Sequence, residues 1–145
     1  MLFRKEKDKK VDGIARETLK FILEVSKSTH PREFAGLLRA EKGVISEVYF
    51  LPGTESSNIS AVMQLHNMPN IPSVGSVHSH PSSNIKPSKQ DLIMFARTGN
   101  YHIIVGMPYG DSDWTCYNAK GQIRDLPVLD VKLEEEEFDE YYTAK

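Results

Sequence analysis

Apolar residues recur at helical spacing between positions 14 and 28, in "IARETLKFILEVSKS". Ile14, Phe21, Ile22 and Val25 fall near one stripe with Thr18 between them, which predicts an amphipathic helix. Pro31 ends it, because the residue before a proline is driven out of helical dihedrals. "EFAGLLRA" and "GVISEVYFLPG" predict two strands joined by a tight turn at Glu41–Lys42–Gly43. Val44, Val48 and Phe50 share one parity, and Ile45 breaks it. Residues 52–73 are rich in turn formers and are expected to hold one short strand near Ser60–Leu65 between two loops. "SVGSVHSH" predicts a strand, "PSSNIKP" a loop, and "SKQDLIMFARTGN" a short helix stopped by Gly99 with Leu92, Phe95 and Ala96 facing inward. "YHIIVGMP" is an apolar run of buried-strand type, and "WTCYNAKGQIRDL" predicts an edge hairpin turning at Asn118–Gly121. In the tail, Leu133, Glu137 and Tyr141 are spaced for a helix face, although the glutamate block equally suits a solvated end.

Strands with a first and a middle helix predict an α/β (α+β) domain of two or three layers. The chain has 145 residues, enough for one core and too few for two comfortable domains. Net charge is −2, which gives no electrostatic case for nucleic acid or an anionic membrane. No apolar run approaches the roughly 20 residues of a membrane span, and "MLFRKEKDKK" is not followed by a signal-type apolar core, so a cytoplasmic location is expected. Cys116 is the single cysteine, which excludes an internal disulfide and a cysteine-rich zinc cage. A bound metal must be held by histidines and carboxylates.

One stretch offers them. On a strand over 74–80, His78 and His80 point to the same face and Ser79 points away. Pro81 and Pro87 stiffen the following loop, and Asp91 then falls in the first turn of the next helix, where the helix dipole favours an ionised carboxylate. Two imidazoles and one carboxylate leave a fourth tetrahedral place for water, which is the layout of a catalytic zinc site. A plainer reading exists for part of this. "SKQD" is also a capping-box pattern, with Ser88 at the N-cap and Asp91 three residues on. The two readings are not exclusive, since a helix start can present both residues to the histidine strand.

His78-Ser79-His80-Pro81, the seven residues from Pro81 to Pro87, Ser88, two residues and Asp91 resemble the signature of the JAMM (MPN+) metalloproteases. Members of that family also carry an upstream glutamate after the first helix, and "HPREFAGLL" supplies Glu33 in that setting. The likeness is greatest to the small archaeal members. It implies an MPN fold, with a curved, mostly antiparallel central sheet flanked by two main helices. It implies a catalytic domain over 12–126, between a charged extension at 1–11 and an acidic tail at 127–145. His78, His80 and Asp91 would bind one zinc, Glu33 would be the general base, and Ser88 would hydrogen-bond the oxyanion. The implied substrate is the isopeptide bond between the C-terminal glycine of a ubiquitin-like modifier, of the archaeal SAMP type, and a lysine. Residues 52–73 are then a candidate flank of the substrate groove, and a homodimer is compatible with the family.

Linear processing of a ubiquitin-like or sulfur-carrier precursor shares the chemistry and is the alternative activity; a non-catalytic MPN scaffold is a further one. Spacing alone does not choose Glu33 over Glu41, Glu47 or Glu55; the resemblance does. His30 reads as a helix-end or surface residue, His66 as a surface residue and His102 as a satisfied core histidine. Trp114 and Tyr117 read as packing residues, and Cys116 as a small buried hydrophobe.

Overall fold

A computed structural model of the chain describes residues 10–50, 62–64, 66, 67 and 71–133. In chain order the elements are β1 (Gly13–Ala15), α1 (Arg16–Thr29), β2 (Ala35–Glu41), β3 (Val44–Tyr49), β4 (Gly75–Ser79), α2 (Lys89–Thr98), β5 (Tyr101–Val105), β6 (Trp114–Tyr117) and β7 (Val128–Leu129). The strands form one sheet in the order β6-β5-β4-β2-β3-β1-β7. It is mixed. The β2-β3, β2-β4 and β5-β6 ladders are antiparallel, whereas β4-β5 and the two short ladders of β1 are parallel.

Strand alternation sends neighbouring residues to opposite faces, and the core divides accordingly. One face gathers Leu38, Val77, Ile103 and Val105 under Leu19, Ile22 and Leu23 of α1. The other gathers Leu37, Ile104 and Tyr117 under Met94 and Phe95 of α2. The result is three layers, helix on sheet on helix. β4 and β5 are buried along their whole length, as expected of strands covered on both sides.

Several details depart from the sequence expectation. The buried stripe of α1 is Thr18, Leu19, Ile22, Leu23 and Ser26, and Phe21 is exposed. Ile14 is fully buried, but in β1 and not in the helix. On α2 the inner face is Asp91, Met94, Phe95 and Thr98, while Leu92 and Ala96 are exposed. Residues 62–64 are helical where a strand was expected, and Val62 is buried against the α2 face of the sheet; the rest of Ser60–Leu65 lies outside the described residues. So do Glu137 and Tyr141 of the tail. Ordered pairing runs past the expected boundary at 126, because Val128 and Leu129 pair with Ile14 and Ala15 and Arg16 bonds Asp130 at 2.5 Å.

The hairpin turn matches. Lys42 and Gly43 are the two residues between the paired Glu41 and Val44, and both have positive φ (53° and 80°), the pattern of a two-residue turn that fits strand twist. The parity break at Ile45 has a cause. Ala40 pairs with Ile45 but Arg39 pairs with Glu47, so Ser46 is an extra residue, and this bulge puts Ile45 and Val48 on one face.

His102 is the core histidine that the sequence suggests. Its ring stacks on Phe95 with centroids 4.1 Å apart, its Nδ1 lies 2.7 Å from Ser76 Oγ, and its Nε2 lies 2.8 Å from the Gly99 carbonyl. A carbonyl only accepts, so Nε2 carries the proton and Nδ1 accepts from Ser76. Burial pushes its pKa down to about 4, against 6.5 when free. The unfolded chain therefore takes up a proton below pH 6.5 that the folded chain refuses until about pH 4. Stability is full above pH 6.5 and falls by about 3 kcal/mol from this residue as pH drops to 4. Urea unfolding at a series of pH values checks this: His102→Asn is expected to have a shallower loss across that window than the wild type.

Candidate metal centre

β4 delivers the two histidines. His78 pairs in register with Ala35 of β2 and Ile104 of β5, which fixes it on the α2 face, and it is 1% exposed. His80 follows the end of the strand, where its N–H still donates to the Val105 carbonyl at 2.7 Å. α2 delivers the carboxylate. Ser88 is its N-cap, and the capping box is complete: Asp91 N–H donates to Ser88 Oγ (3.1 Å) and Ser88 N–H donates to Asp91 Oδ2 (2.8 Å). The cap reading and the ligand reading of "SKQD" therefore hold for the same residues. One carboxylate oxygen serves the cap, and the other lies 3.2 Å from His78 Nε2.

The intervening loop is held by more than its prolines. Met107 N–H donates to the Ser82 carbonyl at 2.9 Å, and the Tyr117 hydroxyl donates to the Ile85 carbonyl at 2.7 Å. Gly106 lets Ile85 approach, since a Cβ there would stand 2.4 Å from its Cγ2. The loop returns the favour to the site. His80 Nδ1 lies 2.7 Å from the Asn84 carbonyl, so Nδ1 carries a proton and a neutral His80 turns the lone pair of Nε2 inward. His78 Nδ1 has no hydrogen-bond partner among the described residues.

His78 Nε2, His80 Nε2 and the Asp91 carboxylate thus share one focus. The two nitrogens are 3.1 Å apart, and the carboxylate oxygens lie 3.2 and 3.7 Å from them. A tetrahedron around zinc with Zn–N of about 2.0–2.1 Å has edges of about 3.3 Å, so the spacing fits. The electrostatics fit as well. The Asp91 hydrogen bond, working against burial, raises the pKa of His80. Burial by itself would raise Asp91, but hydrogen bonding to His78 and His80 outweighs it and holds the carboxyl well below the usual range. Without a metal, protons on these imidazoles answer the buried carboxylate; with the Nε2 protons displaced, the same three groups would form a donor set that suits a divalent cation. They are the one group of three or more metal-type donors among the described residues, with all donor atoms within 4.8 Å of one another.

Comparison with known proteins gives the same answer. Residues 16–117 match the family model described as prokaryotic homologs of the JAB domain. This chain belongs to the JAMM/MPN+ family. It is 42% identical to a probable metalloprotease of Haloferax volcanii, over 94% of this chain and 89% of that protein. A solved structure reported as "JAMM: A Metalloprotease-like Zinc Site in the Proteasome and Signalosome" is 42% identical, covers 83% of this chain and 99% of its own, and superposes with a TM-score of 0.67. A JAB1/MPN domain protein from Archaeoglobus fulgidus is also 42% identical, with 81% and 96% covered and a TM-score of 0.66. Zinc is the cofactor that this donor set and this JAMM family membership both call for.

Glu33 and Ser88 lie around that centre. Glu33 is exposed and immediately precedes Phe34, whose N–H donates to Ser79 Oγ and whose carbonyl accepts from Ser79 N–H, both at 2.8 Å. The serine between the two histidines thus clamps the segment that carries Glu33. The Glu33 charge contributes to the raised pKa of His80. Glu41 and Glu47, by contrast, both engage Arg39, on the part of β2 past its pairing with β4. Glu55 lies outside the described residues. Cys116 is buried, and burial pushes its thiol up to about 12, which removes it as a nucleophile. Sequence reasoning missed the clamp role of Ser79, which stands in the motif only as the spacer between the two histidines, and gave Tyr109 no role, because its partners His30 and the His80 carbonyl lie in distant segments.

Zinc titration followed by chelator competition tests the centre. The wild type is expected to bind one zinc per chain and to unfold at a higher temperature when loaded. Asp91→Asn is expected to bind zinc at least about 100-fold more weakly and to lose that thermal shift.

Proposed function

We propose that this JAMM zinc metalloprotease cleaves the isopeptide bond between the C-terminal glycine of a ubiquitin-like modifier and a lysine side chain, in the cytoplasm, with the archaeal SAMP type as the modifier. The observation that carries the reading is the three-donor focus of His78, His80 and Asp91 with the exposed Glu33 close enough to act electrostatically on His80. The 42% identity to a probable metalloprotease supports the protease chemistry. His78, His80 and Asp91 would hold the zinc, which when bound supplies Lewis acidity and lowers the pKa of a water at the site to about 7.

The chain's own groups do the rest. Glu33 takes a proton from the attacking water, whose oxygen bonds to the scissile carbonyl carbon. It then passes that proton to the lysine nitrogen as the carbon–nitrogen bond breaks. The second hydrogen of the water is given up by the new carboxylic acid, and the products are a modifier carboxylate and a lysine ammonium. Ser88 Oγ already accepts from Asp91 N–H, so its own O–H remains to donate to the oxyanion. The site is exposed on the side of Glu33 and Ser88 and closed on the side of His78 and Asp91, with His80 partly exposed between them, which leaves the base accessible and shields two of the three ligands. The full donor set also argues against a purely non-catalytic scaffold.

A panel of ubiquitin-like conjugates to lysine and linear fusions, assayed with and without chelator, tests the reading. Cleavage of the lysine conjugates and its loss on zinc removal are expected; cleavage of linear fusions alone would assign the protein to precursor processing. Glu33→Gln is expected to keep zinc and lose roughly 10²- to 10⁴-fold in rate. Ser88→Ala is expected to lose about 10²- to 10³-fold, with about 1 kcal/mol of stability from the cap. A Glu33→Gln protein that cleaves at the wild-type rate would remove Glu33 from the mechanism.

A further inference from the structure

The five residues His30 to Phe34 join α1 to β2 and carry Glu33. One end of this arm is clamped at Phe34 by Ser79. The other end meets Tyr109. The Tyr109 hydroxyl lies 2.7 Å from His30 Nδ1 and donates to the His80 carbonyl at 3.1 Å. A phenol has one proton, and the carbonyl takes it, so the hydroxyl accepts from His30 Nδ1–H. One oxygen atom therefore bridges the glutamate arm and the second metal ligand. The two rings also meet edge-on, with centroids 5.6 Å apart.

Tyr109 is held in place at some expense. Its φ is +64°, a left-handed conformation that costs a side-chain-bearing residue roughly 1–2 kcal/mol. The conformation persists because Tyr109 N–H donates to the Gly106 carbonyl at 2.9 Å and the ring is buried in the α1-side core. A ring serving only to pack needs neither the strained backbone nor the hydroxyl bridge. Strain of this kind, over-determined by its surroundings and next to a reactive centre, points toward a use. After burial, the charge of Glu33 is the next cause that raises the Tyr109 phenol, so arm, phenol and His80 are electrostatic neighbours.

We propose that Tyr109, with His30 as its partner, is a positioning residue whose hydroxyl fixes the Glu33 arm against His80 and thereby sets the reach of the base to the metal centre. The inference rests on the reading of Glu33 as the general base. Misplacement of a catalytic group by a fraction of an ångström to an ångström costs up to about 100-fold in rate, so a single lost tether is expected to cost less than that.

The test uses full-length, zinc-loaded proteins and a Gly-Gly isopeptide conjugate to lysine. Tyr109→Phe keeps the ring and removes the bridge. It is expected to lower kcat about tenfold, with KM within about twofold and zinc affinity by chelator competition unchanged. In a Glu33→Gln background the same substitution is expected to have no further effect, because a residue that acts through another is silent once that one is gone. His30→Ala, at an exposed position, gives the same signature from the other side of the bridge and serves if Tyr109→Phe does not fold. A wild-type kcat in Tyr109→Phe, a rate loss that tracks zinc loss, or an undiminished tenfold loss in the Glu33→Gln background would each overturn the positioning role. A fully active Glu33→Gln would overturn the base assignment instead, and the positioning role with it.

Discussion

A carboxylate buried to 3% exposure stays ionised only if its neighbours donate to it or carry positive charge, and Asp91 has both kinds of neighbour. The helix start supplies the Ser88 N–H and the positive end of its dipole; β4 supplies His78, and the residue after it His80. Each of those supports is itself secured from elsewhere. The capping box sets the angle at which α2 begins, Phe95 and Met94 seat the helix on the sheet, and the loop between His80 and Ser88 is pinned by Met107 and Tyr117. Disturbing any one of them moves the carboxylate relative to the imidazoles. The zinc centre is the common endpoint of the packing on the α2 face.

The same economy appears across the sheet. Residues that look like spacers in the motif are ties between layers. Ser79, between the two ligands, holds Phe34 by two hydrogen bonds from the far side of β4. The Asn84 carbonyl, in the middle of the loop, fixes which nitrogen of His80 bears the proton. The metal donors come from β4, the residue after it and α2, and the proposed base from the arm before β2, so the arrangement depends on the antiparallel β2-β4 ladder that starts at the Ala35–His78 pair.

Much of this was legible in the sequence because it rests on local rules. Alternation on β4, the Ser-x-x-Asp cap, the Lys42-Gly43 turn and the apolar run of β5 each follow from a few adjacent residues. What escaped depends on partners distant in sequence. The helix faces are an exception: apolarity keeps Thr18 in the α1 stripe but passes over Ser26 and Thr98, whose hydroxyls bond the carbonyls four residues back and can be buried. Leu92 was placed inside, but the buried positions of that first turn belong to Asp91, whose partners are histidines on another element. The parity break at Ile45 was visible, but a bulge at Ser46 can be recognised only once β2 supplies the register. Glu33 came from family likeness and not from spacing, and Tyr109 is unreadable in a sequence because both of its polar partners lie in other segments.

β4 has no free edge: β2 pairs with it on one side and β5 on the other along its whole length. A polypeptide cannot reach the two histidines by lying alongside them as an added strand. The imidazoles are open instead on the side of the exposed Glu33 and Ser88, where His80 is the partly exposed ligand and His78 lies beneath it.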